Sequence, residues 1–205
     1  MTLYQFALVH LQLGEDAEAI GPLTKCLEID ADQPDVQHDL GLALAHLGQL
    51  AEAKVHWEEV LRQQPDHVFA HAHLARLLAN SGNLAAACEH YQQAIELAPE
   101  WPQPLEELAW IMAASDNPRY RNPQRAMELA QQGQERFGTT PQLLADMAAA
   151  TAALGDHKTA AELAARAATM AEQASLLKLA AKFKQQEQEY RTGKGGPQRI
   201  EFPWK

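Results

Sequence analysis

Small and large apolar residues recur along the first 173 positions at a spacing that a single helix or strand does not explain. One series of small residues has intervals of 34, 34, 34 and 39 residues: Ala7, Gly41, Ala75, Ala109 and Ala148. A large apolar residue precedes each of them: Phe6, Leu40, Leu74, Leu108 and Met147. Repetition at this length predicts a stack of similar units, each a pair of helices without a complete core of its own.

A second series of small residues marks the start of the second helix in each pair. Its intervals are 34, 34, 39 and 34 residues: Ala19, Ala53, Ala87, Ala126 and Ala160. Because the two series gain five residues at different steps, the insertion must lie between Ala109 and Ala126. This stretch contains DNPRYRNP (116–123), whose prolines and asparagines predict a longer loop between two paired helices.

The repeat divides the chain into five units followed by a single helix. The units cover 1–33, 34–67, 68–101, 102–140 and 141–173. In 174–192, apolar residues at helical spacing and a polar face predict an amphipathic helix that caps the stack. The tail, 193–205, ends with Ile200, Phe202 and Trp204 in alternation, so we expect it either to be flexible or to dock on the stack or on another copy.

A known pattern is clearest in two of the units, PDVQHDLGLALAHLGQLAEAKVHWEEVLRQQPDH (34–67) and VFAHAHLARLLANSGNLAAACEHYQQAIELAPEW (68–101). Both have a Leu–Gly or Leu–Ala pair, a glycine between the helices, an alanine, an aromatic residue (Trp57 or Tyr91) and a closing proline. In these features they resemble tetratricopeptide repeats of bacterial type, and the resemblance extends over about 170 residues. It implies an all-α, right-handed superhelical solenoid of about five helix-turn-helix repeats with a C-terminal capping helix.

The same resemblance implies a binding surface, because members of this family usually hold a peptide against the first helix of each repeat. Carried over position by position, the predicted peptide-binding residues are Tyr4, Leu8, His38, Leu42, His46, Phe69, Arg76, Asn80, Glu106 and Trp110. Relatives that bind the tails of heat-shock chaperones resemble one another in a clamp of Lys, Asn and Arg. This chain has His38 and Leu42 at two of those positions, so we expect an apolar peptide or helix with a few polar anchors instead.

Two alternatives remain open for these residues. Trp110 is also explained by packing against a neighbouring helix. His38 and His46 are also explained by a solvated helix face, which is where a polar side chain of a surface helix usually lies.

The charge of the chain narrows the class of partner. The net charge is −10, and residues 1–100 hold 15 acidic side chains against four basic ones. An acidic surface repels phosphate backbones, so we expect no nucleic-acid partner. The excess of acidic side chains is explained either by solubility alone or by binding to a basic partner.

The hydropathy of the chain bears on whether it inserts into a membrane and in which cellular compartment it lies. No stretch approaches the roughly 20 apolar residues of a membrane span, so we expect no direct membrane insertion. The first residues lack the basic region of a signal peptide. We therefore expect a cytoplasmic protein, or a periplasmic one if the sequence is part of a longer exported chain.

Nine histidines raise the question of a metal site. His67, His71 and His73 form the closest group, and the i, i+4 spacing of the first two would place them on one helix face. No cysteine or carboxylate completes a tetrahedral set nearby, and no catalytic or nucleotide-binding motif is present. We therefore predict no metal, no cofactor and no catalytic site. Cys26 and Cys88 are expected to be separate, buried thiols.

The sequence thus predicts a non-catalytic protein–protein interaction scaffold that binds a peptide or helix in its concave groove. One alternative is a recruiting or regulatory domain of a larger enzyme or envelope-assembly protein. Another is a scaffold that assembles with itself, in which the partner is a second copy of the chain.

Overall fold

The structure is a computed structural model and describes residues 2–193. Within this range the chain forms eleven α-helices and no strand, which confirms the predicted all-α helical repeat. The helices are α1 (Leu3–Leu13), α2 (Asp16–Ile29), α3 (Pro34–His46), α4 (Leu50–Gln63), α5 (Val68–Asn80), α6 (Leu84–Leu97), α7 (Pro102–Ala114), α8 (Pro123–Phe137), α9 (Pro141–Ala153), α10 (His157–Gln173) and α11 (Leu177–Arg191). The prediction that Ile200, Phe202 and Trp204 dock falls outside the described residues.

The described residues form two compact units. Helices α1–α6 belong to unit 1, which ends at Leu97, and helices α7–α11 belong to unit 2, which begins at Ala98. Inside each unit the two helices of a pair pack together, and successive pairs pack through α2 with α3, α4 with α5, and α8 with α9. Each unit therefore has a core of its own.

Local sequence explains where the helices begin. Proline opens α3, α7, α8 and α9, where its missing N–H costs no hydrogen bond. Five side chains cap helices by accepting a hydrogen bond from a backbone N–H: Thr2, His67, Asn122, Thr140 and Asp156. Thr140 is a typical N-cap, since its Oγ1 accepts from the Leu143 N–H at 3.1 Å.

Glycine explains the tight turns inside the pairs. A glycine with positive φ follows the first helix of four pairs: Gly14, Gly48, Gly82 and Gly155. A residue with a Cβ is strained in this left-handed conformation. Glycine therefore lets the second helix begin after a connection of only two or three residues.

Trp57 holds the core of unit 1 together. It is completely buried, and its Nε1 donates to the His38 carbonyl oxygen at 3.3 Å. Its ring stacks on His73 with the ring centroids 5.1 Å apart. A Cβ on Gly41 would lie only 2.6 Å from the Trp57 Nε1 atom. Trp57 of α4 therefore contacts both α3 and α5, and the absence of a side chain at Gly41 makes room for it.

The other repeats place smaller pairs at the equivalent positions. The third repeat has Ala75 and Tyr91, the fourth Ala109 and Ala130, and the fifth Ala148 and Ala164, all completely buried. The smallest residue in the first helix thus accompanies the largest in the second. Such compensation is expected where two helices pack at interior density.

Unit 2 has a different close contact. A Cβ on Gly133 of α8 would lie 2.7 Å from Leu143 Cδ2 and 3.0 Å from Leu105 Cδ2. Alanines dominate the facing surfaces of α9 and α10, and Phe183 of α11 is completely buried among them. Between α9, α10 and α11 the core of unit 2 is therefore built largely from small residues, against which α11 packs the aromatic side chains of Phe183 and Tyr190.

The connection between α7 and α8 is the longest within any helix pair, at residues 115–122. The Asn117 carbonyl accepts hydrogen bonds from the N–H groups of Tyr120 and Arg121 at 3.0 and 3.1 Å. The loop closes where the Asn122 N–H donates to the Met112 carbonyl at 2.8 Å. The turn-rich sequence thus folds into a compact loop that returns the chain to the end of α7.

The capping helix begins later than the sequence predicts. Helix α10 has 17 residues and extends to Gln173, and Ser175 adopts a left-handed φ of 59°. Helix α11 consequently begins at Leu177, three residues later than the predicted start. Its buried residues are Ala180, Phe183, Gln186 and Tyr190.

We expect Gly41→Ala to destabilise unit 1 by about 1–3 kcal/mol, because the new methyl group would overlap the Trp57 ring. Gly21→Ala in α2 is the matched control, since nothing lies within 4 Å of a Cβ there. Of its chain neighbours, the new methyl group at Gly21 would meet only the ring of the following Pro22, so this substitution should destabilise the unit less than Gly41→Ala does. Urea unfolding followed by tryptophan fluorescence and circular dichroism measures both changes. Equal effects of the two substitutions would contradict the role given to the Trp57 contact.

Candidate protein-binding face

Hydrogen bonds join the first helices of the first two repeats. The Tyr4 hydroxyl of α1 donates to Asp39 Oδ2 of α3 at 2.8 Å. Asp39 Oδ1 lies 3.2 Å from Nδ1 of the neighbouring His38. Asp39 therefore fixes both the position of Tyr4 and the orientation of the His38 ring.

Aromatic rings continue this surface from α3 to α5. The centroid of the His38 ring lies 5.1 Å from that of His67, 5.3 Å from that of His73 and 6.0 Å from that of Phe69. We call this surface of unit 1 the ring face and define it by Tyr4, His38, Asp39, His67, Phe69 and His73. It lies directly over the core, because His73 stacks on Trp57.

Phe69 is the side chain that projects from the ring face. It is 53% exposed, whereas the side chains of His38 and Asp39 are only 13% and 17% exposed. Complete burial of a phenylalanine contributes about 1.5–3 kcal/mol relative to exposure. A partner that covers Phe69 would therefore gain more binding free energy there than elsewhere on this surface.

Burial controls the charge of the histidines. Burial, and after it the charges of His38 and Arg76, lower the pKa of His73 to about 3. Burial also lowers the pKa of His67. The pKa of Tyr4 is raised by burial and by its hydrogen bond to Asp39. At neutral pH His67, His73 and Tyr4 are therefore uncharged, and carboxylates supply negative charge to this surface.

Asp35 adds an accessible carboxylate at the edge of the ring face. Its negative charge raises the pKa of Tyr4 and opposes the lowering of the pKa of His67. Asp35 is exposed and makes no hydrogen bond or ion pair with another residue in 2–193. An exposed carboxylate beside an exposed aromatic ring is suited to a cationic group.

The other residues predicted for unit 1 lie at different depths. Leu8, Leu42 and Asn80 are half-buried, and Arg76 is buried with 8% exposed. His46 Nδ1 lies 2.9 Å from Oδ1 of Asp16 and joins the end of α3 to the start of α2. The solvated-face alternative fails for His38 and His46, because each ring is less than 20% exposed and contacts a carboxylate.

The two residues predicted for unit 2 are less accessible than Phe69. Glu106 is half-buried, its Oε1 accepts from the Thr140 hydroxyl at 3.0 Å, and burial raises its pKa. Trp110 is 3% exposed, as the packing alternative expects. A contact between Trp110 and a partner would require unit 2 to rearrange, and its role in binding stays a prediction.

Two segments of the chain match a known repeat family. The sequence profile of the tetratricopeptide repeat matches residues 34–67 and 68–101. The chain contains tetratricopeptide repeats. The two matched repeats supply α3–α6, and with them every residue of the ring face except Tyr4.

Solved structures share the fold over most of the chain. The 41-end fragment of MamA from Desulfovibrio magneticus RS-1 is 18% identical and has a TM-score of 0.71, with 83% of this chain and 94% of that chain covered. TTC0263, a thermophilic tetratricopeptide-repeat protein of Thermus thermophilus, is 15% identical, with a TM-score of 0.65 and coverages of 90% and 96%. YrrB, described as having an unusual peptide-binding site, is 17% identical, with a TM-score of 0.70 and coverages of 89% and 90%. These identities show the fold alone. A comparison with curated proteins gives no match.

The matched tetratricopeptide repeats also carry buried polar pairs away from the ring face. His71 Nδ1 lies 2.9 Å from His90 Nδ1, while His71 Nε2 lies 2.8 Å from the Pro65 carbonyl oxygen. Since Nε2 must donate to that carbonyl, a neutral His71 accepts from His90 through Nδ1. In the preceding repeat, His56 Nδ1 lies 2.6 Å from Gln37 Oε1 at the same pair of positions.

The sequence-based grouping of His67 with His71 is wrong. His67 is the N-cap of α5, and its Nδ1 accepts from the Ala70 N–H at 3.1 Å. The i, i+4 rule holds only inside a helix, so His67 contacts the ring face while His71 pairs with His90. Cys88, predicted to be buried, is only partly buried beside this pair, whereas Cys26 is buried.

The described part of the chain offers neither a cluster of three or more metal ligands nor a membrane-spanning helix. In residues 2–193, no group of three or more His, Cys, Asp or Glu side chains is arranged to hold a metal ion. None of the helices α1–α11 combines the length and the apolar character needed to cross a membrane.

Unit 2 buries a carboxylate that lacks a full set of partners. Asp146 is completely buried, and its Oδ1 accepts from Gln142 Nε2 at 2.9 Å. Its Oδ2 has no hydrogen-bond partner among the described residues, and neither does the buried Tyr190 hydroxyl. Burial raises the pKa of Asp146 well above its ordinary value, and the charges of Glu106 and Glu107 raise it further.

We expect Asp146→Asn to stabilise unit 2 near neutral pH by about 1–3 kcal/mol, because the neutral amide removes a carboxyl group whose ionised form is disfavoured by burial. Because the folded pKa is raised, Asp146 supports the folded state below its ordinary pKa of 3.8 and loses that contribution as the pH rises through the folded value. The gain from the substitution should therefore shrink as the pH falls toward 3.8.

Thermal unfolding across this pH range measures the effect. Asp156→Asn is the control, because Asp156 is an exposed N-cap whose pKa is lowered by its hydrogen bond to Thr159, and asparagine caps equally well. A gain from Asp146→Asn that does not vary with pH would contradict the assigned titration.

We expect His90→Leu to destabilise unit 1 by about 1–3 kcal/mol, because His71 Nδ1 would lose its buried partner. The chain itself suggests the compensating change, since the equivalent pairs are Leu105 with Leu129 and Leu144 with Leu163 in the next two repeats. The double variant His71→Leu/His90→Leu should recover most of the loss. A double-mutant cycle in urea unfolding measures the coupling, and additive losses would contradict it.

Proposed function

We propose that this chain is a non-catalytic scaffold that binds a segment of another protein on the ring face of unit 1. The observation that carries the proposal is the exposure of Phe69 on a layer of fixed rings. The neighbouring Tyr4 and His38 are held by Asp39. Rigid aromatic groups lose little entropy on binding, and such residues dominate the energetics of protein interfaces.

The charge around Phe69 supports a partner segment with a basic residue. Asp35 is accessible and unpaired within 2–193, and residues 1–100 carry 15 acidic against four basic side chains. A lysine or arginine of the partner would pair with Asp35 while an apolar side chain covers Phe69. The printed description of YrrB as a protein with a peptide-binding site agrees with this use of the fold.

The proposal holds whether the chain acts alone or recruits a partner to a larger enzyme or envelope-assembly protein. We propose the cytoplasm as its compartment, or the periplasm if the sequence is part of an exported chain. No catalytic activity is part of the proposal.

The proposal can be tested with peptides that the full chain selects from a displayed random library. Their affinity for Phe69→Ala should fall about tenfold or more, which corresponds to about 1.4 kcal/mol. Asp35→Asn should lower the affinity of peptides that contain lysine or arginine and should reduce the salt dependence of their binding. Fluorescence anisotropy measures both effects.

Phe6→Ala is the matched control. Phe6 is 42% exposed in the same unit, but it contacts His10 rather than the ring face. Its replacement should leave the affinity unchanged. Selected peptides that bind Phe69→Ala and Asp35→Asn as well as the wild type, or a library that yields no binder, would refute the proposal.

A further inference from the structure

His71 of α5 and His90 of α6 bring two ring nitrogens to one point in the third repeat. Their Nδ1 atoms are 2.9 Å apart. His71 is 8% exposed and His90 is half-buried. We call these two residues the histidine pair. Because the neutral imidazole ring is a ligand that suits Cu²⁺, Ni²⁺ and Zn²⁺, two converging ring nitrogens are suited to a metal ion as well as to a hydrogen bond.

The Pro65 carbonyl fixes the protonation of His71. His71 Nε2 lies 2.8 Å from this carbonyl oxygen, and since a carbonyl can only accept, Nε2 carries the proton. The lone pair of the neutral ring is then on Nδ1 and points toward His90. Histidine ligands in metal sites usually donate their second ring N–H to a carbonyl or a carboxylate in this way. His71 is therefore held in the tautomer and the orientation that a metal ligand needs.

His90 can direct a lone pair to the same point. Burial lowers its pKa and the charge of His71 lowers it further, while the charges of Glu89 and Glu58 act in the opposite direction. His90 is therefore largely neutral at neutral pH, which is the form that binds a metal. Without a metal, its Nδ1–H donates to His71. With a metal, Nε2 carries that proton instead, so the ring stays neutral.

The distance between the two Nδ1 atoms indicates the geometry of the site. Bonds from a metal to imidazole nitrogen are about 2.0–2.1 Å long. Two such bonds at a right angle place the nitrogens about 2.8–3.0 Å apart, whereas the tetrahedral angle places them about 3.3–3.4 Å apart. The observed 2.9 Å therefore matches neighbouring positions of a square or tetragonal site. This geometry is typical of Cu²⁺ and Ni²⁺ bound by nitrogen and oxygen.

The other coordination positions of such an ion would face a recess at the surface of unit 1. The histidine pair lines this recess together with Cys88, Glu89, Gln92 and Gln93. Glu89 is exposed, and its negative charge favours a cation in the recess. Burial raises the pKa of the Cys88 thiol, which makes it a poor ligand at neutral pH. Since residues 2–193 contain no group of three converging ligands, water would fill the other positions, and we expect a dissociation constant of about micromolar order.

The other repeats provide an internal comparison for the histidine pair. At the equivalent positions the second repeat has Gln37 and His56, whose Oε1 and Nδ1 atoms are 2.6 Å apart. A glutamine and a histidine are thus sufficient where only a hydrogen bond is formed. The fourth and fifth repeats have leucine at both positions. The third repeat differs from all of them, because it places an imidazole on each of the two helices.

We propose that His71 and His90 bind a divalent transition-metal ion, Cu²⁺ or Ni²⁺, through their two Nδ1 atoms. The ion would take the place of the proton between the two rings and would join α5 to α6. This pair is not the one that sequence spacing suggested, because His67 contacts the ring face instead of His71. The inference does not depend on the function proposed for the ring face, since neither residue of the histidine pair belongs to that face.

Calorimetric titration of the untagged full chain with Cu²⁺, Ni²⁺ or Zn²⁺ tests the proposal. The wild type should bind Cu²⁺ most tightly, and Ni²⁺ more tightly than Zn²⁺, because the right-angle spacing suits the first two ions. His71→Gln reproduces the glutamine–histidine pair of the second repeat, so it should fold. It should lower the affinity for Cu²⁺ about tenfold or more, because one of the two protein ligands is lost.

His56→Gln is the matched control, because it removes a histidine from the equivalent position of the preceding repeat. Its affinity for Cu²⁺ should equal that of the wild type. Circular dichroism should show the same helix content for both variants and the wild type. Equal affinity of His71→Gln and the wild type, or an equal loss in His56→Gln, would overturn the proposal.

A second measurement needs no substitution. The electron paramagnetic resonance spectrum of the wild type with one equivalent of Cu²⁺ should show a tetragonal site with coupling to two imidazole nitrogens. Ni²⁺ should broaden the amide resonances of α5 and α6 next to the histidine pair before those next to His38. No bound ion, coupling to a single nitrogen, broadening centred on the ring face, or tighter binding of Zn²⁺ than of Ni²⁺ would leave the histidine pair as a hydrogen bond only.

The two proposals fail in different experiments. His71→Gln should lower the affinity for Cu²⁺ and leave the binding of selected peptides unchanged. Phe69→Ala should have the reverse effect. Failure of metal binding with retained peptide binding therefore counts against the histidine pair alone, and the opposite result counts against the ring face alone.

Discussion

The close approach of the two helices in each repeat is the constraint on which the rest of this structure depends. In the second repeat that approach is possible only because Gly41 has no side chain where Trp57 lies. The same contact supports the surface above it, since Trp57 donates to the His38 carbonyl and stacks on His73. Packing inside the repeat and the geometry of the ring face are therefore not independent properties.

The two sides of helix α1 differ in chemistry. Its side toward α3 contributes Tyr4 to a network that Asp39 holds in place. On the opposite side, Phe6 and Val9 are far more exposed than their counterparts in α3 and α5. One side therefore combines rings with carboxylates, whereas the other is apolar and uncharged.

Much of the fold was predictable, because the spacing of small residues reports directly where helices touch. The helix pairs and the extra loop between Ala109 and Ala126 follow from that pattern and from turn chemistry. Accessibility was not predictable in the same way. Phe69 and Trp110 both belong to the family's binding positions, yet one is 53% exposed and the other 3%. The contribution of His73 and Asp39 was also missed, because it arises from contacts between repeats that lie 34 residues apart in sequence.

The loop between α7 and α8 has a consequence for how this chain can change over time. The hydrogen bond from the Asn122 N–H to the Met112 carbonyl brings the end of the loop back to the end of α7. The entropy of closing a loop grows only slowly with its length, so further residues could be inserted at 115–122 without disturbing the pairing of the two helices. The three-residue turns at 47–49, 81–83 and 154–156 lack this freedom, since each is built around a glycine with positive φ. Variation in length among descendants of this sequence should therefore concentrate in the fourth repeat, which would also accept an inserted tag or reporter.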